Sequence, residues 1–253
     1  MSEAVHWRTR AGDLKRTIKW WLAPSGYRSD RRALRACRAP DDYLAFAGRV
    51  EEGPTQLRDE ILPFLQLAAE DRPARLLEIG TSWGGTNVLF GWALPTLTDV
   101  LGVDLFVRNR MRIRRLSRRG LRHHFFDGSS YATETVALVE HALAGRTLDV
   151  LFIDGDHSFD GVAQDFLRYR DLVRPGGLIA FHDIQPDGRD AGETVAYAGE
   201  VPQFWRRLSP SYDAREFIAD PAQRGLGIGV IRYDPAVELP VEVFRRADGT
   251  IVH

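Results

Sequence analysis

The chain has 253 residues, of which 44% are hydrophobic and 27% charged, and its formal net charge is −1 at pH 7. This composition is typical of a folded globular protein, and the small net charge excludes a general electrostatic attraction to nucleic acid or membranes. The single cysteine, Cys37, excludes an internal disulfide and a zinc site built from cysteines. Because such a composition is compatible with a reducing compartment, we expect a cytoplasmic protein.

The N-terminal part of the chain differs from the rest in its pattern of polar and apolar residues. Residues 1–70 are polar with a mostly helical pattern, and short segments that contain proline or glycine interrupt it. These breaks are PSG at 24–26, Pro40 and GP at 53–54. A length of 253 residues accommodates one domain of roughly 200 residues and an extension. We therefore predict a helical N-terminal extension or cap over residues 1–70 and a second domain over residues 71–253.

Basic and aromatic residues cluster within the extension, at Lys15, Arg16, Lys19, Trp20 and Trp21. Two interpretations are open: a helix that rests on a membrane surface or a partner subunit, or a helix whose tryptophans pack on the protein's own core, which we favour. No apolar run has the length of a signal peptide or of a membrane span of about 20 residues. The sequence therefore predicts no membrane span.

Seven short segments beyond the extension have the pattern of strands. They are ARLLEIG, VLGVDLF, HHFFDGSS, TLDVLFIDG, GGLIAFHDI, EFIAD and LGIGVIRYD. Runs that are apolar at nearly every position suit parallel strands buried on both faces, and the spacers are long enough for crossover helices. The last two segments are close enough for an antiparallel hairpin. We predict an α/β fold with a doubly wound, Rossmann-like sheet of seven strands that ends in an antiparallel C-terminal hairpin.

The first strand leads into a glycine-rich turn, LLEIGTSWGGT. Gly80 and Gly84 allow the backbone to approach a ligand, and Glu78 closes the strand. The spacing departs from the GxGxxG pattern of dinucleotide-binding turns, because Ser82 stands where the second glycine would be. This departure argues against an oxidoreductase that uses a nicotinamide cofactor.

Acidic and hydroxyl side chains close the next two strands. Asp104 ends the second strand, where a carboxylate can accept hydrogen bonds from both hydroxyls of a ribose. Asp127 and Ser129 reach the same edge from the third strand and suit an adenine amino group. Each acid alone is as well explained by a helix cap. Their occurrence at successive strand ends favours a nucleoside-binding edge.

The segment RNRMRIRRLSRRGLRHH carries eight arginines from Arg108 to Arg122. We interpret it as one helix with arginines on several faces. Because it lacks interleaved aromatic residues that would stack bases, we predict no nucleic-acid binding and favour a solvated helix or a subunit contact. Steering of an anionic substrate remains a further alternative.

The motifs together resemble a known family. LLEIGTSWGGT, VLGVDL, FFDGSS, VLFIDGDHSFDGVAQDF and RPGGLIAFHDI resemble class I S-adenosylmethionine-dependent methyltransferases. Within that class they are similar to the metal-dependent O-methyltransferases related to cephalosporin-hydroxylase-like and macrolide-sugar methyltransferases. The resemblance implies S-adenosyl-L-methionine as cofactor, with Glu78 and Gly80 at its methionine part, Asp104 at the ribose and Asp127 near the adenine. The full predicted cofactor-binding set is Glu78, Gly80, Ser82, Gly84, Asp104, Asp127, Ser129 and Asp154.

The residues that close the fourth and fifth strands predict the reaction centre. Asp154, His182 and Asp183 could surround one divalent cation, Mg²⁺ or Mn²⁺, which lowers the pKa of an acceptor hydroxyl. His157 is the candidate general base, because imidazole titrates near neutral pH, and it matches the base position of related methyltransferases. Relatives commonly carry an acid or amide at the position of His182. This residue therefore has three possible roles: a nitrogen ligand, a support for a ligand, or the base itself.

The resemblance implies a metal-assisted O-methyltransferase that acts on a hydroxyl of a sugar, saccharide or glycosylated metabolite. The alternative is a catalytically silent cofactor-binding scaffold of a biosynthetic complex. The segment after Asp183 is a candidate substrate lid, with Phe204 and Trp205 either stacking on a sugar or anchoring a helix to the core. We also expect homo-oligomerisation, through the extension.

Overall fold

The computed structural model describes residues 3–23, 26–50, 56–188 and 198–253, with side chains from residue 10 onwards. The central part of the predicted substrate lid and parts of the predicted breaks near residues 24 and 53 lie outside these ranges. None of the described helices is both long and apolar enough to span a membrane.

One sheet of seven strands forms the centre of the fold. The strands are β1 (Arg75–Ile79), β2 (Asp99–Asp104), β3 (Arg122–Asp127), β4 (Leu148–Ile153), β5 (Val173–His182), β6 (Asp213–Phe217) and β7 (Ile228–Arg232). Their order across the sheet is β3-β2-β1-β4-β5-β7-β6. The first five strands are parallel to one another, and β7 runs antiparallel between β5 and β6. The predicted doubly wound sheet with an antiparallel C-terminal hairpin is confirmed.

The predicted position of β6 was wrong by a few residues. The sequence EFIAD favoured a strand that starts at Glu216, whereas β6 covers Asp213–Phe217. The chain turns soon after Phe217, because the side chain of Asp220 accepts a hydrogen bond from the backbone N–H of Ala222. An aspartate that bonds to the backbone two residues ahead favours a turn over a strand.

Nine helices in the described ranges surround the sheet. They are α1 (Glu3–Leu22), α2 (Tyr27–Ala36), α3 (Pro40–Ala47), α4 (Arg58–Glu70), α5 (Gly85–Ala93), α6 (Arg110–Leu116), α7 (Thr133–Leu143), α8 (Phe159–Tyr169) and α9 (Val201–Leu208). Helices α7, α8 and α9 cover one face of the sheet and α4 and α5 the other. Alternate strand residues serve the two layers: Leu77 and Ile79 pack in the first and Leu76 in the second. This two-sided burial explains why the strands lack polar alternation.

The N-terminal helices pack directly onto the second layer. Ala47 of α3 and Phe64 of α4 belong to the same buried cluster as Leu76 of β1. The predicted break at Pro40 falls between α2, which ends at Ala36, and α3, where Pro40 occupies the first turn and has no amide hydrogen to lose. The division of the chain near residue 70 stays a prediction.

The arginine-rich segment was predicted to be one helix, and this was wrong. Helix α6 has only seven residues and ends at Leu116, since Ser117 is extended and Gly120 has a φ of 86°. The chain must leave the helix there because β3 begins at Arg122. Several arginine side chains stack on aromatic rings from other parts of the chain, and Arg112 lies over Trp20 at 5.1 Å from the ring centroid.

Candidate active site

Strands β1 and β4 approach each other closely where they end, and Gly80 makes that approach possible. Its φ is 88°, and a Cβ at this position would lie 1.8 Å from the carbonyl oxygen of Asp154. Only glycine fits this conformation and this spacing. Gly80 therefore brings the glycine-rich turn next to the predicted reaction centre.

A cavity of about 410 Å³ opens at the carboxyl ends of β1, β2 and β4. This is the edge at which ligands bind in open α/β sheets, and the volume suits a nucleoside-sized molecule. Its lining includes five of the predicted cofactor-binding residues, Gly80, Ser82, Asp104, Ser129 and Asp154. It also includes Leu105 and Tyr131, both exposed and neither predicted from the sequence.

Backbone hydrogen bonds hold Asp104 in place at this cavity. One of its carboxylate oxygens accepts from the N–H of Ser82 at 2.9 Å and the other from the N–H of Phe106 at 2.9 Å. Ser82 has a φ of 45°, which is uncommon for a residue with a side chain. The turn is thus held against Asp104, which lines the cavity, and each carboxylate oxygen has accepted only one of these two hydrogen bonds.

Asp127 and Ser129 lie in different surroundings, although both were predicted near an adenine. Asp127 accepts from the N–H of Val107 at 3.0 Å and forms ion pairs with Arg10, at 3.1 Å, and with Arg110. It is absent from the residues that line the cavity. The hydroxyl of Ser129 is buried at the cavity without a hydrogen-bond partner among the described residues. The role of Asp127 as an adenine ligand stays a prediction.

Glu78 and Gly84 stand behind the cavity wall. Glu78 is fully buried, and Asn87 donates a hydrogen bond to it at 3.2 Å. Burial raises the pKa of Glu78 to about 8, with a smaller contribution from the nearby carboxylate of Asp154. Gly84 begins α5 with a φ of 80° and packs against Ile113, so that a side chain there would collide. Their roles in cofactor binding also stay predictions.

The predicted metal ligands converge at the ends of β4 and β5. One ligand atom from each of Asp154, His182 and Asp183 lies within 4.8 Å of the others. The Nδ1 atom of His182 is 3.1 Å from Asp154 and 3.0 Å from Asp183, and its Nε2 is buried without a partner in the described chain. Two carboxylates and one imidazole form a donor set that fits a divalent cation such as Mn²⁺ or Mg²⁺.

Charge within this cluster is balanced by the histidine. Burial by itself lowers the pKa of His182, but the two carboxylates outweigh it and raise that pKa to about 10. Burial opposes ionisation of Asp154, while His182 and His157 together hold the pKa of Asp154 well below its usual range. The two carboxylates therefore favour a positive charge beside them, which either a proton on His182 or a bound cation could supply, and His182 would be neutral as a ligand of that cation.

Backbone geometry fixes Asp183 at the end of β5. Its φ of 62° is uncommon for a residue other than glycine, and Leu226, with a φ of 61°, donates its N–H to the Asp183 carboxylate at 3.2 Å. Such conformations cost of order 1–3 kcal/mol and concentrate at functional sites. The fold thus maintains a strained residue in order to place this carboxylate beside His182.

His157, the predicted base, lies beside the same cluster. Its Nε2 is 3.4 Å from Asp183 and 3.8 Å from Asp154, and its side chain is part-exposed. The preceding Asp156 accepts from the N–H of Ser158 at 2.9 Å, as expected for a residue that organises the loop. The structure therefore brings the candidate base to the edge of the candidate cation site.

Sequence reasoning missed Gln56, which lies in the N-terminal part of the chain. Its side-chain amide donates to Asp154 at 2.7 Å, and its carbonyl oxygen accepts from the hydroxyl of Thr86 at 3.2 Å. Gln56 is buried. Neither a strand end nor a motif marks it in the sequence, so no local signal could have identified it.

The sequence after the IDGDHS motif predicts Asp160 and Asp165 on the following helix, solvated rather than catalytic, and this prediction is wrong for Asp165. Asp160 is exposed and pairs with Arg246, but Asp165 is completely buried, and its oxygens accept no hydrogen bond of normal geometry from the described residues. Both lie on α8, and Asp165 falls on the face that packs against the sheet. It lies directly behind Gly155 in the loop that follows β4.

The alternatives for Phe204 and Trp205 are also decided. Both residues of α9 are buried in the core, where Phe204 packs on Phe181 with ring centroids 6.0 Å apart. The indole N–H of Trp205 donates to Glu216 at 2.6 Å. They anchor α9 to the sheet and are unavailable to stack on a substrate.

The central segment of the chain matches a known protein family. Residues 77–184 match the model of a family described as a methyltransferase domain. This segment contains the glycine-rich turn, Asp104 and the cluster at the ends of β4 and β5.

Two curated relatives have no described activity. An uncharacterized protein of Acanthamoeba polyphaga mimivirus is 50% identical over 38 residues, which cover 15% of this chain. An uncharacterized protein of Sinorhizobium fredii is 25% identical over 167 residues, which cover 62% of this chain. In each case the match covers only 17% of the relative's own length.

Solved structures share the fold at low sequence identity. An O-methyltransferase from Bacillus cereus in complex with SAH is 18% identical, with a TM-score of 0.56 over 81% of this chain and 97% of that protein. A putative O-methyltransferase from Klebsiella pneumoniae is 19% identical, with a TM-score of 0.54 over 85% and 98%. The O-methyltransferase TomG from Streptomyces achromogenes, involved in tomaymycin synthesis and solved with SAM, is 18% identical, with a TM-score of 0.51 over 78% and 89%. The predicted class I methyltransferase fold is thereby confirmed.

Proposed function

We propose that this chain, whose residues 77–184 match a methyltransferase domain, is an S-adenosylmethionine-dependent O-methyltransferase assisted by a divalent cation. The observation that carries this proposal is the position of Asp154. It lines the cavity at the sheet edge, and it also belongs to the cluster with His182 and Asp183. A methyl donor in the cavity and a hydroxyl at the cluster would therefore meet at one residue.

The cavity supports the choice of cofactor. When bound, S-adenosylmethionine supplies an electrophilic methyl group, and neighbours of the same fold are described with SAM or SAH. In this chain Asp104 would accept hydrogen bonds from ribose hydroxyls through its free lone pairs. Gly80 and Ser82 would let the turn contact the methionine part of the cofactor closely. The unpartnered hydroxyl of Ser129 supplies a polar group for the nucleoside end.

The cluster supports assistance by a cation, held by Asp154, His182 and Asp183. When bound, Mg²⁺ or Mn²⁺ supplies a positive charge that lowers the pKa of a nearby hydroxyl. His157 would accept the proton from the acceptor hydroxyl and would be oriented by Asp183, 3.4 Å away. Gln56 would keep the second oxygen of Asp154 in place.

The acceptor that we propose is a hydroxyl on a sugar, saccharide or glycosylated metabolite. This choice follows from the similarity of the IDGDHS and FHD motifs to those of macrolide-sugar methyltransferases. We further propose that the protein acts in the cytoplasm as a homo-oligomer, with residues 1–70 as a cap that contributes Gln56 to the site.

Transfer of a labelled methyl group to a panel of glycosides, catechols and free sugars tests this proposal. We expect methylation of a sugar hydroxyl. A chelator should abolish this methylation, and Mn²⁺ or Mg²⁺ should restore it. Asp183→Asn should lose both transfer and the electron paramagnetic resonance signature of bound Mn²⁺. Transfer that resists the chelator would overturn the role of the cation, and methylation of catechols alone would overturn the choice of acceptor.

A further inference from the structure

Helix α1 presents an apolar stripe to solvent. Leu14, Ile18, Trp21 and Leu22 are spaced like one face of a helix, and they are 47%, 47%, 50% and 71% exposed. A contiguous exposed stripe of large apolar side chains is uncommon on a protein that has no partner for it. The stripe therefore marks a contact surface.

The opposite face of α1 is held against the rest of the protein. Asp13 is buried and accepts a hydrogen bond from the N–H of Asn109 at 2.9 Å. The indole N–H of Trp20 donates to Asp30 at 2.7 Å, and Thr17 is buried between them. The stripe therefore faces outwards on a helix that is already docked along its other side.

Positive charge flanks the stripe. Lys15 and Lys19 are exposed on the adjacent face of α1. On the other side Arg115 of α6 stacks on the ring of Trp21, with its guanidinium carbon 5.2 Å from the ring centroid. Arg114 and Arg119 of the same arginine-rich segment are also exposed.

The charge of the whole chain is divided between two regions. Residues 1–38 contain ten basic and three acidic residues, and residues 105–122 contain eight arginines and no acid. The remainder contains 16 basic and 32 acidic residues, so the net charge of −1 conceals a strongly basic region. Helices α1, α2 and α6 from these two segments pack together, which concentrates the basic charge around the stripe.

These features together select the partner. A second copy of the chain would oppose its own basic surface to this one, and like charges disfavour that contact. Nucleic acid matches the charge but offers no apolar surface for Leu14, Ile18 and Leu22. An anionic phospholipid bilayer matches both, because aliphatic side chains enter the acyl boundary while tryptophan and lysine remain at the headgroups.

We propose that the Leu14, Ile18, Trp21 and Leu22 stripe of α1 is a docking surface for anionic phospholipid membranes. Docking would place the sheet edge close to the bilayer, since Arg10 of α1 pairs with Asp127 at the end of β3. Arg16 of the same helix lies over Trp83, at 4.8 Å from its ring centroid, in the glycine-rich turn. The surface is separate from the chemistry and does not depend on the reaction.

Flotation of the full chain with lipid vesicles tests this proposal. We compare vesicles of phosphatidylcholine alone with vesicles of equal parts phosphatidylcholine and phosphatidylglycerol. We expect binding to the second that weakens with added salt. Ile18→Glu and Leu22→Glu should each weaken binding about tenfold or more, because each replaces an aliphatic side chain that would enter the bilayer by a charged one. Leu138→Glu, at a residue 50% exposed on α7, is the matched control and should bind like the wild type.

Three results would overturn the proposal. One is absence of binding to the anionic vesicles, and a second is equal binding to both vesicle types. The third is an effect of Ile18→Glu on a different assembly while vesicle binding is unchanged. That assembly would be a complex with an oligonucleotide, measured by anisotropy, or a dimer, measured by light scattering. Circular dichroism checks that each variant is folded, and Lys15→Glu combined with Lys19→Glu tests the charge without altering the stripe.

Discussion

The buried carboxyl of Asp165 allows a sharp test of the energetics of the site. It lies on α8 behind Gly155, completely buried, and no described group donates a hydrogen bond of normal geometry to it. Burial raises the pKa of Asp165 from 3.8 to about 7, the hydroxyl of Ser130 offsets part of this rise, and the charge of Asp156 adds a smaller increase. The Asp165→Asn variant keeps the shape of the side chain but cannot ionise.

The sign and size of the effect follow from the shift in pKa. Between pH 3.8 and about 7 the unfolded chain releases the Asp165 proton while the folded protein retains it, so the wild type loses stability as the pH rises. Each pKa unit corresponds to about 1.36 kcal/mol. From pH 5 to pH 8 we therefore expect the free energy of unfolding of Asp165→Asn to rise by about 3 kcal/mol relative to the wild type.

Urea denaturation of both proteins at the two pH values measures this difference. Asp160→Asn on the same helix is the control, because its exposed pair with Arg246 contributes about 0–1 kcal/mol. A difference between Asp165→Asn and wild type that does not change with pH would refute the reasoning, since the carboxyl would then ionise equally in both states.

Four further outcomes follow from the geometry of the site and core. Asp154→Ala should abolish methyl transfer but leave most of the cofactor affinity, which calorimetry measures. A loss of cofactor affinity as complete as the loss of transfer would mean that the cluster is misplaced. Gln56→Ala should lower kcat and weaken Mn²⁺ binding, since Asp154 loses a 2.7 Å hydrogen bond; unchanged Mn²⁺ affinity and kcat would show that this contact does no positioning. Gly80→Ala should prevent cofactor binding, because its Cβ would lie 1.8 Å from a carbonyl oxygen, and retained affinity would contradict that close approach. Phe204→Ala should lower the free energy of unfolding by about 3–5 kcal/mol in urea titrations, whereas a loss below about 1 kcal/mol would place this ring outside the core.

Much of the fold could be predicted because its strands are buried on both faces. Runs such as LLEI and VLFI are apolar at every position or nearly so, and their ends then locate Asp104, Asp154 and His182 at one edge. Parallel topology brings strand ends together whatever the length of the crossovers, which is why residues far apart in sequence could be grouped correctly.

The errors have physical causes too. The buried face of α8 includes Val162, Phe166 and Tyr169 at helical spacing, and Asp165 lies on that same stripe. Periodicity would therefore have placed it inside, but the preference of carboxylates for water suggested otherwise. Gln56 depends on how the N-terminal segment packs over β4, which no local pattern encodes.

The most direct test of the central claim is calorimetric titration of S-adenosylmethionine and S-adenosylhomocysteine into the purified protein, with and without Mn²⁺ and with NAD as control. We expect both sulfur cofactors to bind with micromolar affinity, typical of a cavity that surrounds a nucleoside, and NAD to give no heat of binding. Binding of NAD alone, or of none of the three, would contradict the assignment of this site to methyl transfer.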